Sequence, residues 1–263
     1  MLKLKRLRLI IDKLPLRHMK KNRYIYTILV TLLMLVGCDE NNIVPVQTDG
    51  VGTFELSLTQ GDVQSEVITR SVLDLDSDEF LVSLTEANGA VLIDGKKFSA
   101  LTEAECTLPA GTGYQIKAES CTPDEAVTLN EGWGMVHFTA STTFDIVSNQ
   151  HTPVSLTCTM DNVGLQVVFD QSFLDKFPIH AATSQDIRSI VFNQSTQGQT
   201  AYFSVEETTL NMKLRLTGSA GGWEDRLDVM KDLTLSKGKI YTVNITYSDT
   251  QVRGLSMRVS EVH

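Results

Sequence analysis

The sequence lacks the residue patterns by which common enzyme classes are recognised. It contains no GxSxG, no P-loop and no GxGxxG, so neither a hydrolase nucleophile nor a Gly-rich phosphate-binding turn is indicated. No nucleophile and base stand in a recognisable arrangement for covalent catalysis. We therefore expect a protein that is not an enzyme.

The spacings typical of metal sites are missing as well. There is no HExxH, and no CxxC or Cys/His spacing suggests zinc. Asp74, Asp76 and Asp78 have the spacing of a calcium loop, but Glu79 stands where the EF-hand needs Gly and Thr85 where it needs an acid. We predict no metal and no cofactor, and we interpret the aspartates as a solvated acidic turn.

Helical periodicity is nearly absent, and apolar residues alternate with polar ones instead. Phe54, Leu56 and Leu58 alternate with polar neighbours, and Asn88-Gly89 is a strong hairpin turn. Further strands are predicted at 80–85, 90–93, 114–118, 134–139, 142–147, 153–160, 163–169, 187–193, 200–205, 209–216, 229–235, 239–247 and 255–262, with one short helix at 171–177. Many short alternating strands predict an all-β chain built from antiparallel sandwiches.

The length of the chain allows one large domain or two ordinary ones. We place the boundary at Asp161-Asn162, between two successive strands. This gives an N-terminal β-sandwich at 51–160 and a C-terminal one at 161–263. No exact repeat relates the two halves, although both are compatible with one architecture.

The longest apolar stretch belongs to an export signal. Lys20, Lys21 and Arg23 precede an almost wholly apolar stretch at 25–36, which is short of the about 20 residues of a membrane span. A charged start followed by a short apolar core is typical of a secretory signal. We predict a signal peptide at 1–37. Met19 begins a complete signal by itself, so we interpret it as the true start, with a long n-region as the alternative.

The signal ends in a lipid attachment pattern. Leu35-Val36-Gly37-Cys38 resembles the lipobox of bacterial lipoproteins, in which the cysteine is acylated after cleavage just before it. One acyl chain anchors only marginally, whereas two or three hold a protein on a membrane. We therefore predict attachment to outer-membrane lipid through Cys38 and a polar tether at 38–50. The alternative is an uncleaved signal anchor with an incidental cysteine. Asp39 and Glu40 resemble the surface-export signal of Bacteroides-type lipoproteins.

The predicted mature chain is strongly acidic. Residues 1–37 hold nine of the 23 Lys and Arg residues and one of the 32 acids, so residues 38–263 keep 14 basic and 31 acidic side chains, a formal charge of −17. Such a surface repels nucleic acid, and we exclude nucleic acid as a partner.

Three cysteines remain besides the one at the signal. Cys158 lies in the alternating run 153–160, so we expect it to face a core. Cys106 and Cys121 flank a predicted hairpin turn near Gly111, in which antiparallel pairing would place residue 116 opposite Cys106. A disulfide between the two is therefore open but not predicted.

The order of features resembles the fimbrillin-like lipoproteins of Bacteroides-type bacteria, including a branch of uncharacterised members. The resemblance rests on the lipobox, the opening strand 52–58, Thr69-Arg70-Ser71, the acidic lead-in 74–80, the Leu108-Pro109-Ala110-Gly111 turn before Tyr114, 154–158, Asn162-Val163 and the late strand 237–243. Gly113 is extra relative to the usual Gly-Thr-Tyr of the family. The match covers most of residues 38–250.

The resemblance implies two transthyretin-like β-sandwich domains and a role in surface adhesion, as a pilus subunit or accessory protein. It also implies that a trypsin-like protease cuts at Arg70, which removes the first strand so that another subunit can donate one. An ordinary loop arginine is the alternative. The tail at 252–262 is either a donor strand or the last strand of its domain, and no separate polymerisation tail is identified.

Two tryptophans in Gly-rich loops suggest a second function. Trp133 and Trp223 are candidates for stacking on sugar rings, and the alternative is that each covers a core edge. The competing hypothesis is therefore a carbohydrate-binding surface lipoprotein of a glycan-uptake system. Pilus subunits, host surfaces and glycans are the partners that these hypotheses imply.

Overall fold

The computed structural model describes residues 49–61, 75–220, 226–248 and 255–262. The strands are β1 (Val51–Gln60), β2 (Leu81–Thr85), β3 (Val91–Lys97), β4 (Thr107–Pro109), β5 (Gly111–Glu119), β6 (Phe138–Ile146), β7 (His151–Met160), β8 (Asn162–Phe169), β9 (Ile179–Gln185), β10 (Val191–Phe192), β11 (Ala201–Ser204), β12 (Thr209–Ser219), β13 (Arg226–Ser236), β14 (Ile240–Tyr247) and β15 (Leu255–Val262). The helices are α1 (Glu125–Thr128) and α2 (Gln171–Lys176), and 3₁₀ turns lie at Ser77–Glu79, Phe98–Ala100 and Gln194–Thr196. The prediction of an all-β sandwich fold is confirmed. No helix in these ranges is both long and apolar enough to cross a membrane.

The first half is one sheet that divides in its middle. Its strand order is β3-β2-β5-β6-β7-β1-β4. β6 and β7 pair only through Phe138 with Met160 and Thr139 with Thr159. The four strands on one side and the three on the other therefore separate and enclose a shared core, to which Ile116 of β5 and Val154 of β7 both contribute.

The second half repeats this arrangement in two sheets. Their orders are β10-β9-β12-β13 and β11-β8-β14-β15. The sheet β10-β9-β12-β13 corresponds to β3-β2-β5-β6 of the first half. The strands β14-β8-β11 correspond to β7-β1-β4, and β15 is an additional strand beside β14. A shared architecture, which the sequence left open, is thus present. Division into separate domains at Asp161-Asn162 stays a prediction.

The expectation of purely antiparallel sheets needs one correction in each half. β1 runs parallel to β7, with Leu56 opposite Val154. β8 likewise runs parallel to β14, with Val167 opposite Val243. Alternation along a strand shows which side chains face the core but not which strand lies beside it, so the sequence did not indicate these pairs.

Alternation assigns each strand a core face and an outer face. In β12, four apolar side chains are buried while the residues between them are exposed or half-buried. The four are Leu210, Met212, Leu214 and Leu216. Each contributes about 1.5–3 kcal/mol through burial. The outward positions Asn211, Lys213 and Arg215 of the same strand are polar and exposed.

The predicted hairpin around Gly111 does not form. β4 pairs with β1, with Leu108 opposite Gly52, while β5 pairs with β2 and β6. Cys106, Cys121 and Cys158 carry free thiols, so the open question of a bridge between the first two is answered against it. Cys158 is fully buried, as predicted.

We predict that the three thiols react slowly in the folded protein. Burial raises the pKa of Cys121 and of Cys158 to about 11, so very little thiolate forms near neutral pH. Burial also raises the pKa of Cys106, but this side chain is half-buried and should react first. Timed alkylation of residues 39–263 followed by peptide mass mapping measures the order. A Cys106→Ser variant should lose the fastest phase, and rapid labelling of Cys158 without denaturant would contradict the prediction.

Candidate ligand-binding cleft

The loop after α1 holds Trp133 in a fixed position. Asn130, Glu131, Gly132 and Gly134 all have positive φ, at 53°, 58°, 87° and 75°. A Cβ at Gly134 would lie 2.3 Å from the carbonyl oxygen of Ala126, so this close approach requires glycine. The Asn130 side chain donates a hydrogen bond to the Gly134 carbonyl over 2.9 Å. The loop therefore has little freedom to present the indole elsewhere.

Trp133 comes from the first half but packs on the core of the second. Its ring meets Phe192 of β10 edge to face, with 5.2 Å between ring centroids. Its carbonyl accepts a hydrogen bond of 2.8 Å from the Tyr202 amide. The side chain is only partly buried. Both interpretations of this tryptophan thus have a basis, since it covers a core edge and also lines a cleft.

Arg188 attaches this loop to the second half. Its guanidinium donates hydrogen bonds to the carbonyl oxygens of Val127, Gly132 and Tyr202. It also lies over the Phe203 ring, 5.1 Å from the centroid. Burial lowers the pKa of Arg188, because desolvation disfavours the charged form. The sequence placed Arg188 inside a strand at 187–193, whereas β10 begins at Val191.

The cleft beside the indole has a volume of about 590 Å³. It is lined by Asn130, Glu131, Trp133, Gly134, Gln166, Gly198, Gln199, Thr200 and Tyr202. Apart from Glu131 these groups are uncharged. Such a lining, an aromatic ring among amides and hydroxyls, suits a ligand with an apolar face and many hydroxyl groups.

Gln166 connects the cleft to the rest of its sheet. Its amide nitrogen donates to the Thr200 hydroxyl over 2.7 Å, and its amide oxygen accepts from the Thr242 hydroxyl over 3.3 Å. Burial raises the pKa of Tyr202 to about 12, and a hydrogen bond with Thr200 offsets part of this effect. The Tyr202 phenol is therefore protonated at physiological pH, and the cleft floor is a connected, neutral hydrogen-bond network.

The other predicted site residues are distributed differently. Cys38, Arg70 and Trp223 lie outside the described residues, as does Asp74. Asp76 caps the turn at Ser77–Glu79 by accepting a hydrogen bond from the Asp78 amide. Within the described ranges no group of three or more His, Cys, Asp or Glu side chains is placed to hold a metal ion.

Sequence reasoning missed three residues of the site. Arg188, Gln166 and Tyr202 lie in unremarkable strand patterns, and no local signal marks them. They meet Trp133 only because the loop at 129–134 crosses to the second half. The one local signal of this cleft is the Gly-rich loop around Trp133, which predicts the tryptophan but not its partners.

Fold and cleft together define a two-part β-sandwich protein with a cleft lined by residues of both halves. The family described as "Domain of unknown function (DUF4493)" matches residues 50–261. The chain belongs to this family. No curated protein sequence matches it.

Solved structures of bacterial surface proteins are similar to the chain over most of its length. One is a fimbrial assembly protein from Parabacteroides distasonis, with 11% identity and a TM-score of 0.46, covering 81% of this chain and 97% of the other. Another is the fimbrial anchor protein from Porphyromonas gingivalis, with 10% identity and a TM-score of 0.44, covering 80% of this chain and 99% of the other.

We predict that Arg188→Met destabilises the protein by about 3 kcal/mol, because three carbonyl groups lose a charged donor. Chemical denaturation monitored by circular dichroism gives the change in unfolding free energy. Arg215→Met is the matched control, since Arg215 forms an exposed pair with Asp228 across β12 and β13, and a much smaller effect is expected there. Equal losses for the two variants would show that Arg188 does not hold the loop.

Proposed function

We propose that the protein is a non-enzymatic, lipid-anchored protein of the outer cell surface that acts in adhesion or as part of a fimbria. The predicted signal peptide at 1–37, the lipid attachment pattern that ends in Cys38 and the predicted polar tether at 38–50 support the location. The order of sequence features shared with fimbrillin-like lipoproteins supports the role. The position of β1 is the structural observation that carries the proposal.

β1 lies between β7 and β4 in its sheet, and β4 covers only its first three residues. Residues 53–60 pair with 151–158 of β7, and residues 51–53 pair with 107–109 of β4. Phe54 and Leu56 of β1 are buried in the first core. Removal of β1 would therefore leave unpaired backbone groups along β7 and empty pockets in the core, which is what a donated strand requires.

Arg70 lies in the connection between β1 and β2. A cut at this residue would separate β1 from β2 and the later strands along the chain. The strand would then be held only by its pairing and its buried side chains. This position supports strand exchange between subunits as the mode of assembly.

We predict that trypsin cuts residues 39–263 selectively after Arg70 and that oligomers follow. Loss of β1 exposes an acceptor edge that another chain can fill. Intact mass and size-exclusion chromatography measure cleavage and assembly. The Arg70→Gln variant should stay uncut at this position and monomeric. A wild-type chain that is cut after Arg70 yet remains monomeric sinks strand exchange through this site.

We predict that Cys38→Ala releases the protein from membranes. In a diderm bacterial host, the wild-type precursor should incorporate an alkyne-palmitate label and partition into detergent, because two or more acyl chains give stable anchoring. The variant should take up no label and partition into the aqueous phase. If the unlabelled variant stays in the membrane fraction, the apolar stretch at 25–36 is an uncleaved anchor instead.

A second candidate function is carbohydrate binding for a glycan-uptake system. The observation that favours it is the neutral amide and hydroxyl lining beside Trp133. Trp223 was predicted for the same role and lies outside the described residues. The two functions place their contacts on different parts of the molecule, so they are tested independently.

A further inference from the structure

The cleft beside Trp133 lies at the β11 end of the sheet β11-β8-β14-β15, and the outer face of this sheet extends from there to β15. Thr200, Gln166, Thr242 and Ser260 form one row across the four strands. Gln166 pairs with Thr242 in the register of β8 and β14, and Thr242 pairs with Ser260 in that of β14 and β15. With about 4.8 Å between strands, the row extends about 14 Å.

On one side of this row the outward residues of β14 and β15 are polar as well, beside Val168 of β8, whereas on the other side Ile240 is buried. Asn244 is opposite Arg258, and Thr246 is opposite Ser256. These side chains line a second cleft, of about 660 Å³, together with Ser248, Val259 and Ser260. The outer face thus holds two clefts, joined by the hydroxyl and amide row that contains Gln166 and Thr242.

Charge distinguishes the two ends of this face. Among the residues that line the two clefts, Arg258 is the only cation and Glu131 the only acid. Arg258 is exposed, and no carboxylate of the described residues lies within ion-pair distance of it. Acidic residues outnumber basic ones in this chain, so most basic side chains could find an acidic partner. An exposed arginine without one is therefore notable.

We propose that this face binds an acidic oligosaccharide, with the sugar carboxylate at Arg258 and a ring against Trp133. This inference deepens the second candidate function and rests on it. The guanidinium can bind a carboxylate through two hydrogen bonds. The rows of hydroxyl and amide groups match the hydroxyls of the sugar rings between the two ends. Glu131 opposes a carboxylate at the Trp133 end, so the favourable charge contribution to binding comes from the Arg258 end.

A neutral polymer would use the same hydroxyl rows but gain nothing from Arg258. An acidic peptide would use Arg258, and its backbone could bond the amides and hydroxyls around Gln166, but it lacks the dense hydroxyl groups beside an apolar ring face that suit the Trp133 cleft. The combination of both features on one face is what favours a carboxylated glycan over either of these ligands.

The test uses isothermal titration of residues 39–263 with three probes: oligogalacturonate, oligoguluronate and a hyaluronan hexasaccharide. Methyl-esterified oligogalacturonate, which lacks the charge, is the matched ligand. We expect at least one acid to bind and Arg258→Gln to weaken that binding by about tenfold or more, as for the loss of a charged hydrogen bond. Arg258→Gln should leave any binding of the ester unchanged.

Two further variants make the result specific. Trp133→Leu should weaken binding of the acid and of the ester alike, because the indole contacts a ring and not the charge. Arg215→Gln, which removes an exposed cation from β12 in the opposite sheet, should leave both unchanged. Added salt should weaken binding of the acid only.

Each contrary result overturns the proposal in a distinguishable way. Failure of all three acids and of the ester to bind removes both this inference and glycan binding by the cleft, and the trypsin and lipidation experiments still decide the adhesive function. Binding of the ester alone overturns the acidic ligand only. Equal binding of acid and ester, with loss in Trp133→Leu alone, overturns the acidic ligand and leaves neutral glycan binding in place. Loss in Arg215→Gln as large as in Arg258→Gln indicates non-specific attraction.

Discussion

Arg188 places one positive charge against three backbone carbonyl oxygens drawn from both halves of the chain. Val127 lies in α1 and Gly132 in the loop after it, both in the first half, whereas Tyr202 lies in β11 of the second half. Carbonyl groups lack the full negative charge of a carboxylate, so the guanidinium is neutralised only in part, and burial lowers its pKa. The arrangement persists because the donors of the guanidinium satisfy backbone groups that the tight loop cannot satisfy internally. The position of Trp133, and with it one wall of the cleft, depends on this contact.

The remaining stability comes from alternation. Each strand places apolar side chains inward and polar ones outward, so two cores form from strands that are each only modestly hydrophobic. The same alternation determines which groups are left for function. On β14, Val243 and Ile245 fill the core while Thr242, Asn244 and Thr246 face out. An outward face of hydroxyls and amides therefore arises at no cost to packing.

The two proposed functions use different features of the shared architecture. Strand exchange depends on β1, which lies between β7 and β4 in the first half. Glycan binding depends on the outer face of the sheet that contains β8, the counterpart of β1 in the second half. β15 lies beside β14 in that sheet, and its Arg258 supplies the cation of the proposed ligand site. A chain that has lost β1 would keep the four strands of this face, while the wall of the cleft that Trp133 forms comes from the first half.

The sequence by itself determined the class of fold, most strand positions and the helix near 171–177, because alternation and turn residues are local properties. Burial of Cys158 followed from the same alternation. Three features follow only from tertiary structure. β1 pairs in parallel with β7, and β8 pairs in parallel with β14. β4 pairs with β1 and not with β5, and Arg188 contacts the loop of the other half. Tertiary structure also decided that Gln166, Tyr202 and Trp133 share a cleft. These contacts join residues far apart in the chain, and a local pattern carries no information about which distant segment will supply the other partner.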